Sequence, residues 1–198
     1  KYLEPKDFIG NEYTQLRLRM VFDVKADGRK KARLVIDGSR TDVGDISTSA
    51  SVAKQESVRL VQVIADKAGL NIATADIGTA YLYASTEEKV WCRCGPEFGI
   101  YEGYKVLVQK ALYGLKSSAS AFEAFLADKL RSMGFQPSRG DRSVWIKDEG
   151  GTYSYIITYV DDIMVASLKP EKYIEELRGM FTLKDVSYSG GRYLGGDR

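Results

Sequence analysis

Residues 16–24 (LRLRMVFDV) and 31–36 (KARLVI) are rich in strand formers. Ala26-Asp27-Gly28 between them is a turn signal, so the stretch predicts a β-hairpin. Residues 37–55 are polar and glycine-containing and predict a loop. After Ser57, the residues Leu60, Val61, Ile64, Ala65 and Ala68 share one helical face, with Gly69 near the end. Residues 71–77 predict a short apolar strand ending at Asp76, and 88–94 and 104–109 two more strands separated by the Gly95-Pro96 break. A second helix is expected from near Ser118, with Phe122, Phe125, Leu126, Leu130 and Met133 at helical spacing and Gly134 as its C-cap. Residues 153–160 and 163–167 predict two apolar strands with Asp161-Asp162 between them. Pro170 suits the first turn of a third helix that turns Tyr173, Ile174, Leu177 and Phe181 inward, and residues 192–194 begin one further strand. The order is hairpin, helix, strand, two strands, helix, hairpin, helix. That order predicts an α+β fold, with helices packed on one face of a mainly antiparallel sheet.

Composition narrows the chemistry. The 198 residues suit one domain, or one large domain with a smaller lobe. Lys and Arg number 29 against 27 Asp and Glu, so any basic groove must come from local clustering such as Arg29, Lys30, Lys31 and Arg33. There is no histidine, which excludes Ser-His-Asp and Cys-His catalysis and leaves carboxylates, lysine, tyrosine or a metal. Cys92 and Cys94 are too few for a disulfide framework or a zinc site, and read as strand residues in a reducing compartment. No apolar run is long enough to cross a membrane, and the polar start, Lys1 to Gly10, does not resemble a signal peptide. The start also lacks an initiator methionine, as a segment of a longer protein would.

The stretch Tyr153 to Ser167, YSYIITYVDDIMVAS, holds two adjacent carboxylates between apolar strands. Ionised carboxylates are costly in such surroundings, and like charges side by side add to the cost. A hard divalent cation with oxygen ligands resolves the conflict. The plain alternative is a solvated hairpin turn, although tight hairpins prefer Asn-Gly or Asp-Gly. Asp76 offers a third carboxylate, which by itself reads first as a strand-end residue or a helix N-cap rather than a ligand. Three carboxylates converging from two strands would suit a two-metal site for displacement at phosphorus.

Tyr159-Val160-Asp161-Asp162 resembles the YVDD box of copia-type and retroviral reverse transcriptases, and the resemblance runs over nearly the whole chain. Lys31 to Val35 (KARLV) is similar to the family's fingers strand, and Thr74 to Ala84 (TADIGTAYLYA) to its first catalytic motif. Lys110 to Lys116 (KALYGLK) resembles the copia signature before the second palm helix. Met133-Gly134-Phe135, Asp141, Phe181 to Asp185 and Tyr193-Leu194-Gly195 fit the segments that follow. The resemblance implies a reverse-transcriptase-like palm with a small fingers β-hairpin lobe. Residues up to about 70 would be fingers-rich and 71–198 palm-rich, with some fingers elements between about 88 and 117. It implies that Asp76, Asp161 and Asp162, with the backbone carbonyl of Ile77, hold Mg²⁺, for which Mn²⁺ can substitute. It further implies that Lys31 and Arg33 contact a triphosphate and that Tyr81 excludes a 2′-hydroxyl. Tyr113 and Gly114 would shape the nucleotide pocket, with Lys116 near it. From the residues alone, Tyr81 reads equally as a buried tyrosine, and Lys31 and Arg33 read as a solvated hairpin edge, the usual fate of a basic run.

The implied partners are an RNA or DNA template with primer, dNTP, and the remainder of a polyprotein (thumb, RNase H, integrase), with no membrane. Neither thumb nor RNase H is expected within these residues, and the implied location is cytoplasmic virus-like particles. Two departures stand out. Ser117-Ser118-Ala119-Ser120 replaces the family's Gln-Ala-Pro and arginine, and Ile36-Asp37-Gly38 replaces a basic residue and glycine. The leading function is an RNA-directed DNA polymerase. The alternative is a degenerate or domesticated palm that binds nucleic acid or protein without polymerising.

Overall fold

A computed structural model describes residues 2–24 and 28–188. The expected strand at 192–194, and Ala26 and Asp27 of the turn signal, lie outside the described residues. In chain order the strands are β1 (Tyr2–Leu3), β2 (Thr14–Leu16), β3 (Leu18–Val24), β4 (Lys30–Ile36), β5 (Asn71–Ile77) and β6 (Val90–Arg93). They continue with β7 (Lys105–Leu107), β8 (Gln136–Pro137), β9 (Val144–Asp148), β10 (Tyr153–Tyr159), β11 (Asp162–Ser167) and β12 (Leu183–Ser187). The helices are α1 (Gln55–Ala68), α2 (Ser118–Ser132) and α3 (Pro170–Arg178). The chain forms two compact units, Lys1–Ser49 with Tyr81–Phe122, and Ala50–Ala80 with Glu123–Arg198.

In the first unit a four-stranded sheet has the order β1-β7-β6-β2, with β2 parallel to β6 and the other pairs antiparallel. Its core is Leu16, Ile36, Val90, Cys92 and Leu115. Strands β3 and β4 form the expected hairpin, a two-stranded ribbon that pairs Leu18 with Ile36 and Val24 with Lys30. Period-two geometry gives this ribbon one apolar face (Met20, Phe22, Leu34) and one bearing Arg19, Lys31 and Arg33. Cys92 and Cys94 are free and buried, and burial, followed by the neighbouring Cys94, pushes the Cys92 thiol up to about 12.

In the second unit six strands have the order β12-β5-β11-β10-β9-β8, every pair antiparallel. The register puts Ile72, Met164, Ala166, Ile157 and Val144 on one face, where they pack with Val58, Val61 and Ala65 of α1. The other face carries Trp145 and Lys147, together with Ile163, Val165, Ala73, Ala75 and Ile77, all five buried. On that side the Lys147 ammonium lies over the ring of Tyr173 from α3, and the Arg131 guanidinium of α2 lies over Trp145. The expected single helical face is therefore corrected: α1 covers one side of the sheet and α2 and α3 the other. The reason is visible in β5 and β11, whose near-continuous apolar runs need burial on both faces. Strands β8, β9 and β12 were not expected from the pattern, because they are short or mixed in polarity.

Helix α1 begins without a side-chain cap of its own at Lys54. Asp141, from the loop before β9, takes that role. Its Oδ2 accepts from the Lys54 amide (3.0 Å) and the Ser57 hydroxyl (2.7 Å), and its Oδ1 from the Ser143 amide (3.0 Å). Burial opposes its ionisation, yet these hydrogen bonds win and hold its carboxyl below the usual range.

Candidate active site

The β10–β11 hairpin closes on a two-residue loop, Val160-Asp161, with Tyr159 opposite Asp162. Asp162 is thus the first residue of β11, not part of the loop as the sequence pattern had it. Val160 has φ +55°, a left-handed conformation that a β-branched side chain rarely adopts. Positive φ at the first loop position only is the sense of a type II′ turn, where glycine is the favoured residue. Holding valine there costs on the order of 1–3 kcal/mol, strain of a kind that concentrates at functional sites.

Strand β5 lies beside β11 and places Asp76 directly opposite Asp162. Directly opposed residues project to the same face, so the two carboxyl groups share one side of the sheet. The Ile77 amide donates to the Asp161 carbonyl at 2.7 Å, which ties the loop to the end of β5. Asp162 is half-buried, and its pKa is pushed up to about 6, first by burial and then by the charges of Asp161 and Asp76. The charges of Asp161 and Asp76 thus both bear on Asp162. Among the described residues no group of three or more acidic, cysteine or histidine side chains is arranged so that it could hold a metal ion. Ile77 is buried with its side chain on the opposite face.

On the outer side of β5, β12 places Lys184 opposite Asp76. The sequence pattern assigned Lys184 no role; only the β5–β12 register identifies it.

The other residues singled out from the sequence all lie in the first unit. The Arg33 guanidinium is 5.9 Å from the Tyr113 ring centroid, and the Tyr113 and Tyr81 rings are 4.8 Å apart. Lys31 shares the face of Arg33, nearer the hairpin tip and opposite Asp23. Tyr113 and Gly114 run alongside the end of β4: the Tyr113 carbonyl accepts from the Ile36 amide (2.8 Å) and the Gly114 carbonyl from the Gly38 amide (3.2 Å). Gly114 has φ +98°, and a Cβ there would lie 1.9 Å from the Ile36 carbonyl oxygen, so only glycine fits. Lys116 is exposed and donates from Nζ to the Thr41 carbonyl at 2.7 Å.

Both sequence departures have structural uses. Ile36 belongs to the core, and Gly38 permits the close pass of Gly114. The serine run secures the start of α2. Buried Glu88 accepts from the Ser117 amide (2.9 Å) and hydroxyl (2.6 Å), and the Ser118 hydroxyl donates to the Leu112 carbonyl (2.6 Å).

No helix among the described residues is long and apolar enough to cross a membrane. Relatives include the Retrovirus-related Pol polyprotein from transposon RE1 of Arabidopsis thaliana, 31% identical over 84% of this chain and 12% of that protein. Another is the corresponding polyprotein from transposon TNT 1-94 of Nicotiana tabacum, 29% identical over 86% of this chain and 14% of that protein. The Transposon Ty1-DR4 Gag-Pol polyprotein of Saccharomyces cerevisiae is 27% identical over 94% of this chain and 11% of that protein. The chain therefore spans between a tenth and a seventh of the length of these polyproteins. Among solved structures, a foamy viral protease-reverse transcriptase in complex with double-stranded DNA matches at a TM-score of 0.40 and 15% identity, over 84% of this chain and 24% of that one. A family model described as reverse transcriptase (RNA-dependent DNA polymerase) matches residues 9–196. By that match, over nearly its whole length, the chain belongs to the reverse transcriptase family.

Proposed function

We propose that this chain is the fingers and palm of an RNA-directed DNA polymerase, extending a primer on an RNA or DNA template with dNTPs. The register that sets Asp76 opposite Asp162, beside Asp161, carries this reading. In it the six-stranded-sheet unit is the palm and the hairpin unit the fingers, so α1 is reckoned with the palm. The donor set fits Mg²⁺ or Mn²⁺, because all its groups are hard oxygens and the strain between like charges at Asp162 is what a divalent cation relieves. Asp76, Asp161, Asp162 and the carbonyl of Ile77 would hold the metal. When bound, the metal lowers the pKa of a primer 3′-hydroxyl and neutralises charge on the transferring phosphoryl group.

The chain's own residues do the rest. Arg33, stacked near Tyr113, and Lys31 on the same ribbon face supply positive charge for the triphosphate, Arg33 as a planar fork and Lys31 as a point charge. Tyr81, packed against Tyr113, sets a wall that rejects a 2′-hydroxyl by shape. Gly114 keeps the backbone close behind Tyr113, and Lys116 adds a cation at the start of the second palm helix. Template and primer, and the remainder of a retrotransposon polyprotein including thumb, RNase H and integrase, are the partners. Cytoplasmic virus-like particles are the setting.

Primer extension on an RNA template with Mg²⁺ or Mn²⁺ tests this reading. Asp76→Asn and Asp161→Asn are each expected to lower the rate more than about a hundredfold. Extension that survives either substitution overturns the site. A folded parent chain that extends nothing points to the non-polymerising alternative.

A further inference from the structure

We propose that Lys184 is a built-in counter-cation to the Asp76–Asp162 pair and limits how tightly these carboxylates take a divalent ion; the proposal rests on the metal-site reading above. Lys184 stands opposite Asp76 in the β12–β5 ladder, just as Asp162 stands opposite Asp76 in the β11–β5 ladder. In antiparallel ladders directly opposed side chains share a face, so Lys184, Asp76 and Asp162 form a row across three neighbouring strands.

A second observation places the ammonium end. Gly78 follows β5 two residues beyond Asp76, and a Cβ built on it would lie 2.7 Å from Lys184 Cε and 3.1 Å from Nζ. The lysine therefore lies along the same edge, over a residue whose lack of a side chain leaves it room. The Gly78 amide donates to the Thr182 carbonyl at 2.8 Å, which holds β12 against this end of β5.

The consequence follows from charge. The Asp76 and Asp162 carboxylates of this half-buried row, with Asp161 in the adjoining loop, repel one another, and one neighbouring ammonium offsets part of that repulsion. The same ammonium repels an incoming divalent cation twice as strongly as it would a monovalent one. Lys184 thus steadies the carboxylates without metal and weakens metal binding when metal arrives. Because the side chain is exposed, the effect is moderate and sensitive to salt.

The test is Mn²⁺ binding to the whole chain, read from the electron paramagnetic resonance of free Mn²⁺ at pH 8 without nucleotide or primer. Lys184→Met is expected to tighten the dissociation constant on the order of fivefold at low salt, and Lys184→Glu further. Lys184→Arg is expected to stay within about twofold of the parent, and the Lys184→Met difference to shrink near 0.5 M salt. Parent binding that Asp162→Asn weakens, but that Lys184→Met and Lys184→Glu leave unchanged, overturns this proposal alone. Parent binding that is absent, or indifferent to Asp162→Asn, overturns the metal-site reading and this proposal with it.

Discussion

Asp162 faces Asp76 directly across the β5–β11 ladder, two acidic side chains on one face of a sheet whose buried residues are mostly apolar. The arrangement has a measurable cost. The folded pKa of Asp162 is raised to about 6, so its contribution to stability is full below the unfolded carboxyl range, near pH 4, and is lost as pH rises through about 6. Asp162→Asn removes that loss. In chelator, at pH 8, it is expected to stabilise the fold by about 1–2 kcal/mol after discounting for solvent screening, and to change little at pH 4. Urea unfolding at the two pH values checks this; equal effects at both would show that charge is not the cause.

Asp141 behaves with the opposite sign. Its folded pKa is lowered by the hydrogen bonds from Ser57, Lys54 and Ser143 against the effect of burial, so its stabilisation is present above the unfolded carboxyl range and fades as pH falls through the folded value. Asp141→Ala is expected to cost about 1 kcal/mol at neutral pH, the usual loss of a helix cap, and less in acid. Thermal unfolding across that range measures it.

Gly114 passes the Ile36 carbonyl too closely for any side chain, and its φ is left-handed. Gly114→Ala is expected to destabilise the first unit by more than about 3 kcal/mol, because backbone must move to admit the methyl group. A urea midpoint within error of the parent would mean that the two backbone segments separate easily.

Val160 stores strain at the loop of the acidic hairpin. Glycine in a regular strand would lower stability by about 0.5–1 kcal/mol, but Val160→Gly here is expected to leave it unchanged or raise it by up to about 1 kcal/mol. Primer extension is expected to fall in the same variant, since the freed loop no longer aims Asp161. Lower stability together with unchanged extension would remove both the strain and its purpose.

The local elements were legible along the chain. The β3–β4 ribbon followed from strand formers around a turn signal, α3 from Pro170, and the acidic hairpin from two apolar runs flanking Asp161 and Asp162. Helix α1 followed from its apolar spacing, but its buried face is Val58, Val61 and Ala65, while Leu60 and Ala68 of the expected face are exposed. The missing histidine excluded whole classes of catalysis without any structure. These features depend on periodicity, turn chemistry and composition, which neighbouring residues determine among themselves. Other features came only from tertiary structure: α1 on the opposite face of the sheet from α3, Asp141 capping a helix far away in the chain, the strain at Val160, and the row Lys184, Asp76, Asp162. Strand alternation shows which residues share a face within one strand, but not which strand becomes its neighbour or at what register. Those choices are settled by the packing of the whole sheet, and here they decide which charges meet at the candidate active site.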